Sequence, residues 1–100
     1  MIIYNVTLKL AHEIAEEWVA WMKEEHMPEL MQTDLFTDSK LFRLLEQDEE
    51  DGLTYIAQYF CNSMAEYQQY IAEHAQAMRE KGLNKFGNKF IAFRTVMESV

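Results

Sequence analysis

From Tyr4 to Leu10 every second side chain is apolar: Tyr4, Val6, Leu8 and Leu10 alternate with Asn5, Thr7 and Lys9, and Ile2 extends the apolar set towards the start. A period of two over that length predicts a half-buried β-strand, with Ile2, Tyr4, Val6, Leu8 and Leu10 on the inner face. The period then changes. From about His12, Ile14, Trp18, Trp21 and Met22 recur at helical spacing, and Glu13, Glu16 and Glu17 put negative charge at the positive end of that helix. Pro28 should end or kink it, because proline lacks a backbone donor and clashes with the turn before it, or else open a short second turn through Met31.

Lys40 to Glu46 reads as a second strand, with Leu41, Arg43 and Leu45 opposite Phe42 and Leu44. The acidic run Asp48 to Asp51, closed by Gly52, carries an Asp-Gly turn signal. Leu53 to Cys61 is rich in β-formers and gives the third strand. Ser63 and Glu66 form a capping-box pattern at the head of a second helix, whose apolar face is Met64, Tyr67, Ile71, His74, Ala75 and Met78. Gly82 is placed to end that helix in a left-handed conformation, with Leu83 as its apolar contact. Phe90 to Glu98 is the last strand. The order βαββαβ predicts an α+β, ferredoxin-like domain spanning residues 1–100, with a four-stranded antiparallel sheet and both helices on one face.

The opposite face should not be left to water. Strand three carries Tyr55 and Tyr59 on one side but Ile56 and Phe60 on the other; strand four sets Phe90 and Val96 against Ile91, Phe93 and Met97. A solvated face should alternate more cleanly, and an exposed apolar face usually marks an interface. The expectation is a homodimer joined through the free face of the sheet.

Composition narrows the partners. The net charge of -8 disfavours nucleic acid and anionic membrane surfaces. The lone Cys61 can form neither an internal disulfide nor a cysteine-based metal cluster, which suits a reducing compartment. With no basic and apolar leader pattern and no apolar run near 20 residues, the expected location is the cytoplasm. The acidic loop lacks calcium-loop spacing, and no His/Cys metal spacing, phosphate-cradling glycine loop or nucleophile elbow occurs, so no metal or cofactor is expected.

The chemistry-bearing residues gather on the first helix. Both tryptophans, Trp18 and Trp21, share a face with Met22, and His26 lies one turn on, just before Pro28. Such a stripe is ordinarily core; it is also what stacks on a planar ligand. His26 could be a capping or surface residue, or a proton acceptor near neutral pH. Glu25 falls between Trp21 and Met22 on the apolar face, where it would either emerge at the edge or line a polar spot. His74 on the second helix is ordinarily a satisfied core histidine, or with His26 it brackets a cavity. Arg43 and Arg94 sit inside strands, where each could bind a carboxylate or form a salt bridge. Tyr4, Tyr55 and Tyr59 offer phenol hydroxyls.

A βαββαβ chain of this length with an apolar free sheet face resembles the dimeric α/β-barrel superfamily, in which two sheets pack face to face with the helices outside. More narrowly, Trp18-x-x-Trp21-Met22-x-x-x-His26-Met27-Pro28, with Leu35-Phe36-Thr37-Asp38, Leu41-Phe42-Arg43-Leu44-Leu45 and Lys89-Phe90-x-Ala92-Phe93-Arg94-Thr95, resembles a bacterial family of small proteins of unknown function within it. The superfamily resemblance implies a pocket between sheet and helices. Its members include cofactor-independent monooxygenases acting on polycyclic phenols, lactone isomerases, heme-degrading enzymes and stress-response proteins. The heme-degrading members use an asparagine on strand one and a tryptophan and a histidine on the second helix. Asn5 and His74 occupy roughly those elements here, but Tyr67 and Tyr70 stand where a tryptophan would be needed, and alternation turns Asn5 away from Tyr4 and Val6.

The function expected is therefore binding or transformation of a small apolar or aromatic molecule, monooxygenase- or isomerase-like. His26 would be the catalytic proton acceptor, Tyr4, Trp18, Trp21, Met22, Glu25, Tyr67, His74 and Arg94 the pocket, and Arg43 or Arg94 the holder of an oxyanion. The alternatives are a non-catalytic dimeric ligand-binding or stress-related protein and, more weakly, a heme-binding or heme-degrading one.

Overall fold

The computed structural model describes residues 1–100. Strand β1 (Ile2–Leu10) leads through a 3-10 turn (His12–Ile14) into α1 (Ala15–Trp21), a π turn (Met22–His26) and α2 (Met27–Met31). Strands β2 (Asp38–Arg43) and β3 (Leu53–Cys61) follow, then α3 (Met64–Glu73), α4 (Ala75–Phe86) and β4 (Phe90–Glu98). The sheet runs β2-β3-β1-β4 with every neighbour antiparallel, the ferredoxin-like order of an α+β fold.

The alternation read in β1 is the alternation of its burial: Ile2, Tyr4, Val6, Leu8 and Leu10 are buried and the residues between them half-buried. Register carries that face across the sheet, pairing Tyr4 with Tyr59 and Val96, Val6 with Ala57 and Arg94, and Leu10 with Phe90. The helices cover this face. Trp18, Met22, Met27 and Leu30 from the first arm, and Tyr70, Ala75 and Phe86 from the second, close one continuous core over it. Each fully buried large side chain contributes roughly 1.5–3 kcal/mol by leaving water, which is what holds short helices to the sheet.

Three local expectations are corrected, and the two readings of Pro28 are decided. Pro28 opens the short helix that runs to Met31 and does not break the first helix. The π turn ends just before it, with the Met27 N–H donating to the Met22 carbonyl, and Pro28 falls in the first turn of α2, where a missing donor leaves no helix bond unmade. The second helix is not one piece: the backbone leaves helical angles at His74 (φ -126°, ψ -30°), and Tyr70 rather than Ile71 turns inward, leaving Met64 and Ile71 exposed. Gly82 sits inside α4, not at its end, and Leu83 is exposed; the terminator is Gly87, whose φ of 62° is left-handed. At the head of α3, Glu66 accepts from the N–H of Asn62 (3.0 Å), one residue before the N-cap Ser63, and the Ser63 hydroxyl makes no capping bond, so the reciprocal capping box does not form.

Strand β2 spans Asp38–Arg43, earlier at both ends than Lys40–Glu46, and beyond its end Glu46 takes φ 57° and turns the chain away. Gly52 is fixed by a close approach: a Cβ there would lie 2.1 Å from the Leu10 carbonyl oxygen, so no other residue lets the β2–β3 connection close against the end of β1. Cys61 is buried and unpaired. No helix is long and apolar enough to cross a membrane.

Candidate functional site

The core does not close completely. Between the helix-covered sheet face and both helical arms lies a cavity of about 60 Å³, room for a few water molecules or part of a small ligand. Its floor is Tyr4, Val6 and Leu8 of β1, Ala57 and Tyr59 of β3, and Phe90 and Arg94 of β4. One wall is Trp18, Trp21, Met22, His26 and Leu30; the other is Tyr70, Met78, Arg79 and Gly82.

The π turn explains how His26 reaches it. A π turn advances less per residue than an α-helix, so one extra residue is spent between Met22 and the next inward position, Met27. The extra residue rotates His26 onto the cavity side and Glu25 off it. The His26 ring stacks on Trp21 (centroids 4.4 Å, interplanar 20°), and Trp21 meets the edge of Phe86. His26 Nδ1 is the one buried side-chain polar atom in the chain with no hydrogen-bond partner. Burial lowers the imidazole pKa from 6.5 to about 4; the Glu29 carboxylate opposes this, while Lys81 and Arg94 add to it. At neutral pH the ring is uncharged.

Tyr4 is the centre of an aromatic cluster, with Tyr59, Tyr67 and Tyr70 rings 5.9, 5.7 and 5.5 Å away. Burial raises the pKa of Tyr59 and of Tyr70, so both phenols stay protonated and can act as donors. The Arg79 guanidinium donates to the Tyr4 hydroxyl at 3.4 Å. Trp18 packs on Tyr55 at 5.3 Å, below the cavity wall.

Of the residues singled out in the sequence, Tyr4, Trp18, Trp21, Met22, His26 and Arg94 are brought together here. Three are not. Glu25 is exposed, rotated out by the π turn. Tyr67 packs on Tyr4 but stands behind it, outside the lining. His74 stands at the break between α3 and α4 and stacks on Tyr70 at 6.2 Å, away from His26. Arg43 is elsewhere too: its Nη2 donates to Glu49 Oε2 at 2.6 Å on the exposed sheet edge. His12 is exposed and its Nε2 lies 2.6 Å from the Glu49 carbonyl oxygen. Sequence reasoning missed Arg79, Tyr70 and Gly82 as lining residues. They reach the cavity because the break at His74 re-aims α4, which periodicity does not foretell. Tyr59 was visible by alternation with Tyr55.

On the other face of the sheet Asn5 lies in a polar row, Lys40–Gln58–Asn5–Thr95, that crosses all four strands. Its amide donates to Thr7 (3.3 Å) and Thr95 (3.4 Å) and accepts from Gln58 (3.2 Å). Apolar groups flank the row, with Phe42, Ile56 and Phe93 on one side and Phe60, Ile3 and Met97 on the other. No three His, Cys, Asp or Glu side chains converge as a metal site would require.

Solved structures similar to this one share the fold across nearly the whole chain. A dimeric ferredoxin-like protein from an uncultured marine organism superposes with a TM-score of 0.69 at 17% identity, covering 100% of this chain and 95% of that one. A protein of the ethyl tert-butyl ether D (EthD) family from Bacillus halodurans gives 0.68 at 14% identity and full coverage of both chains. SnoaB, a cofactor-independent oxygenase from Streptomyces nogalater, gives 0.61 at 12% identity, covering 98% of this chain and 92% of that one. No curated protein matches the sequence. The family whose pattern does match, over residues 1–100, is described as a domain of unknown function (DUF4286), and this chain belongs to it.

Proposed function

We propose that the cavity takes a small apolar or aromatic molecule, and that His26 accepts a proton from it in chemistry of the cofactor-independent oxygenase or isomerase kind. One observation carries the reading: His26 Nδ1 is buried, unpartnered and on the wall of a mostly apolar cavity. Leaving a buried polar atom unpaired costs about 1–3 kcal/mol, a strain that a bound donor would relieve. The stacked Trp21 holds the ring in place. A low pKa makes His26 a weak base while the cavity is empty; negative charge developing on a deprotonated ligand would raise it and draw the proton across. The similarity to a cofactor-independent oxygenase supports this class by fold alone.

The protein works as a homodimer through the free face of its sheet. Phe42, Ile91 and Phe93 are exposed there in one protomer, Phe93 by 66%, and structures similar to it include dimeric ferredoxin-like proteins. Residues 1–100 are one folding unit, and the buried unpaired Cys61 suits the cytoplasm. A non-catalytic ligand-binding protein is the second reading, favoured by how small the cavity is. Heme chemistry gains no support: Asn5 lies on the opposite sheet face and His74 outside the cavity.

The test is a panel of aromatic compounds titrated against tryptophan emission, with each ligand that binds then assayed for turnover. The His26→Gln variant should keep binding within about threefold and lose at least about a hundredfold in turnover, the scale of a lost general base. Unchanged turnover in that variant would remove His26 from the chemistry. Binding with no turnover for any ligand would leave the non-catalytic reading, and no binding at all would end the pocket reading.

A further inference from the structure

This inference rests on the cavity's being a ligand site and names what it takes. The chain has only three arginines on a protein of net charge -8, and two of them, Arg79 and Arg94, line the same cavity. The third, Arg43, is paired with Glu49. The lysines that make ion pairs, Lys81, Lys85 and Lys89, meet Glu29, Glu17 and Glu13. Neither Arg79 nor Arg94 has a carboxylate within ion-pair distance, although acidic residues outnumber basic ones by 17 to 9. The cavity lining contains no Asp or Glu at all.

The two arginines come from different elements, Arg79 from α4 and Arg94 from β4, so they converge on the cavity from two sides. Arg79 already holds the Tyr4 hydroxyl, which keeps a phenol and a guanidinium side by side at the edge of the aromatic floor. Arg94 faces the cavity because it pairs with Val6 on the helix-covered side, a position where the flanking residues on its strand, Ala92 and Val96, are apolar. Both arginines are exposed, so their guanidiniums sit at the solvent-facing rim of the cavity; in an acidic protein, two of them left without acidic partners beside an apolar hole give its mouth a positive charge that suits an anion. The lining supplies the rest: flat aromatic walls for a ring, and an uncharged imidazole that can accept a hydrogen bond.

We infer that the ligand is a small aromatic acid: the edge of a planar ring enters the cavity among Trp21, Tyr4 and Phe90, and a carboxylate or phenolate oxygen stays at the rim, held by Arg79 and Arg94. Neutral aromatics fill the same space but leave both guanidiniums unmatched, so the site discriminates by charge more than by shape.

The test is calorimetric titration of the full chain with salicylate and with salicylamide, its neutral isostere. Salicylate should bind at least about tenfold more tightly. Arg79→Gln and Arg94→Gln should each weaken salicylate by about tenfold and leave salicylamide unchanged, and the double variant should bring the two ligands level. Arg43→Gln, outside the cavity, should change neither. Equal binding of the two compounds to the native chain, or arginine variants without effect on salicylate, would overturn the inference while leaving the pocket reading intact. If neither compound binds but neutral aromatics do, the inference again falls alone; if no aromatic compound of either kind binds, both fall together.

Discussion

The two faces of the sheet are built by one alternation and end in opposite states. On the helix-covered face, Tyr4, Tyr59, Val6 and Ala57 are buried and the rows are aromatic or aliphatic, yet the helices leave a hole bordered by a histidine and two arginines. On the free face, a hydrogen-bonded polar row runs through the centre and the apolar groups lie uncovered on either side. The first face has enough apolar cover and an unsatisfied polar interior. The second has a satisfied polar centre and too little cover. The first is thus equipped for a small ligand and the second for a large flat partner, with another copy of the same sheet as the simplest occupant.

The largest expected effect tests whether the helix-covered face is core as well as site. Trp18 is 2% exposed and packs on Tyr55, so Trp18→Ala should lower unfolding free energy by about 3–5 kcal/mol in urea titrations at fixed protein concentration. A loss under about 1 kcal/mol would mean the wall is loosely packed.

The next probes the buried imidazole. Its folded pKa of about 4 lies below the unfolded value of 6.5, so between these values the unfolded chain binds a proton that the folded one refuses. The stabilisation is complete above about pH 6.5 and is lost as pH falls towards 4, by about 3 kcal/mol. His26→Gln should flatten that part of the stability profile, read from urea midpoints between pH 7 and 4. An unaltered slope in the variant would place the titration elsewhere.

The free face is tested by Phe93→Asp. A carboxylate set into a sheet-to-sheet contact should weaken self-association at least about 100-fold, about 2.7 kcal/mol. Light scattering should then find a monomer where the native chain gives a dimer. A native monomer at micromolar concentration, or a variant that stays dimeric, would break the contrast between the faces.

The smallest effect concerns Gly82. A Cβ there would sit 3.8 Å from both Phe90 and Trp21, ordinary contact distance, and the residue is inside a helix. Gly82→Ala should therefore raise stability by about 0.5–1 kcal/mol while narrowing the cavity and weakening ligand binding a few-fold. Gain in stability with unchanged binding would put Gly82 outside the site.

The sheet was legible in the sequence because a period of two needs no tertiary information: Tyr4, Tyr59, Val96 and Arg94 fall on the same face by counting. Helical detail was not. The π turn at Met22–His26 and the break at His74 insert or re-aim residues according to what the helices meet on the sheet. That is why Glu25 and His74 were expected in the cavity and stand outside it, and why Arg79 was passed over. Leu44 and Leu45 extended strand two by pattern because apolar content continues past Arg43, where the strand ends just short of the turn at Glu46. The unpaired state of Arg79 and Arg94 is a property of three-dimensional neighbours and has no sequence signature.

The contrast between the faces is tested most directly by mapping a bound aromatic acid. Backbone amide shifts followed by NMR while salicylate is added should move at Val6, Leu8, Trp21 and Gly82, on or above the helix-covered face, and leave Thr54, Ile56 and Phe60 in place. Shifts concentrated on the free-face residues, or no saturable shift on either face, would contradict the assignment of the ligand site.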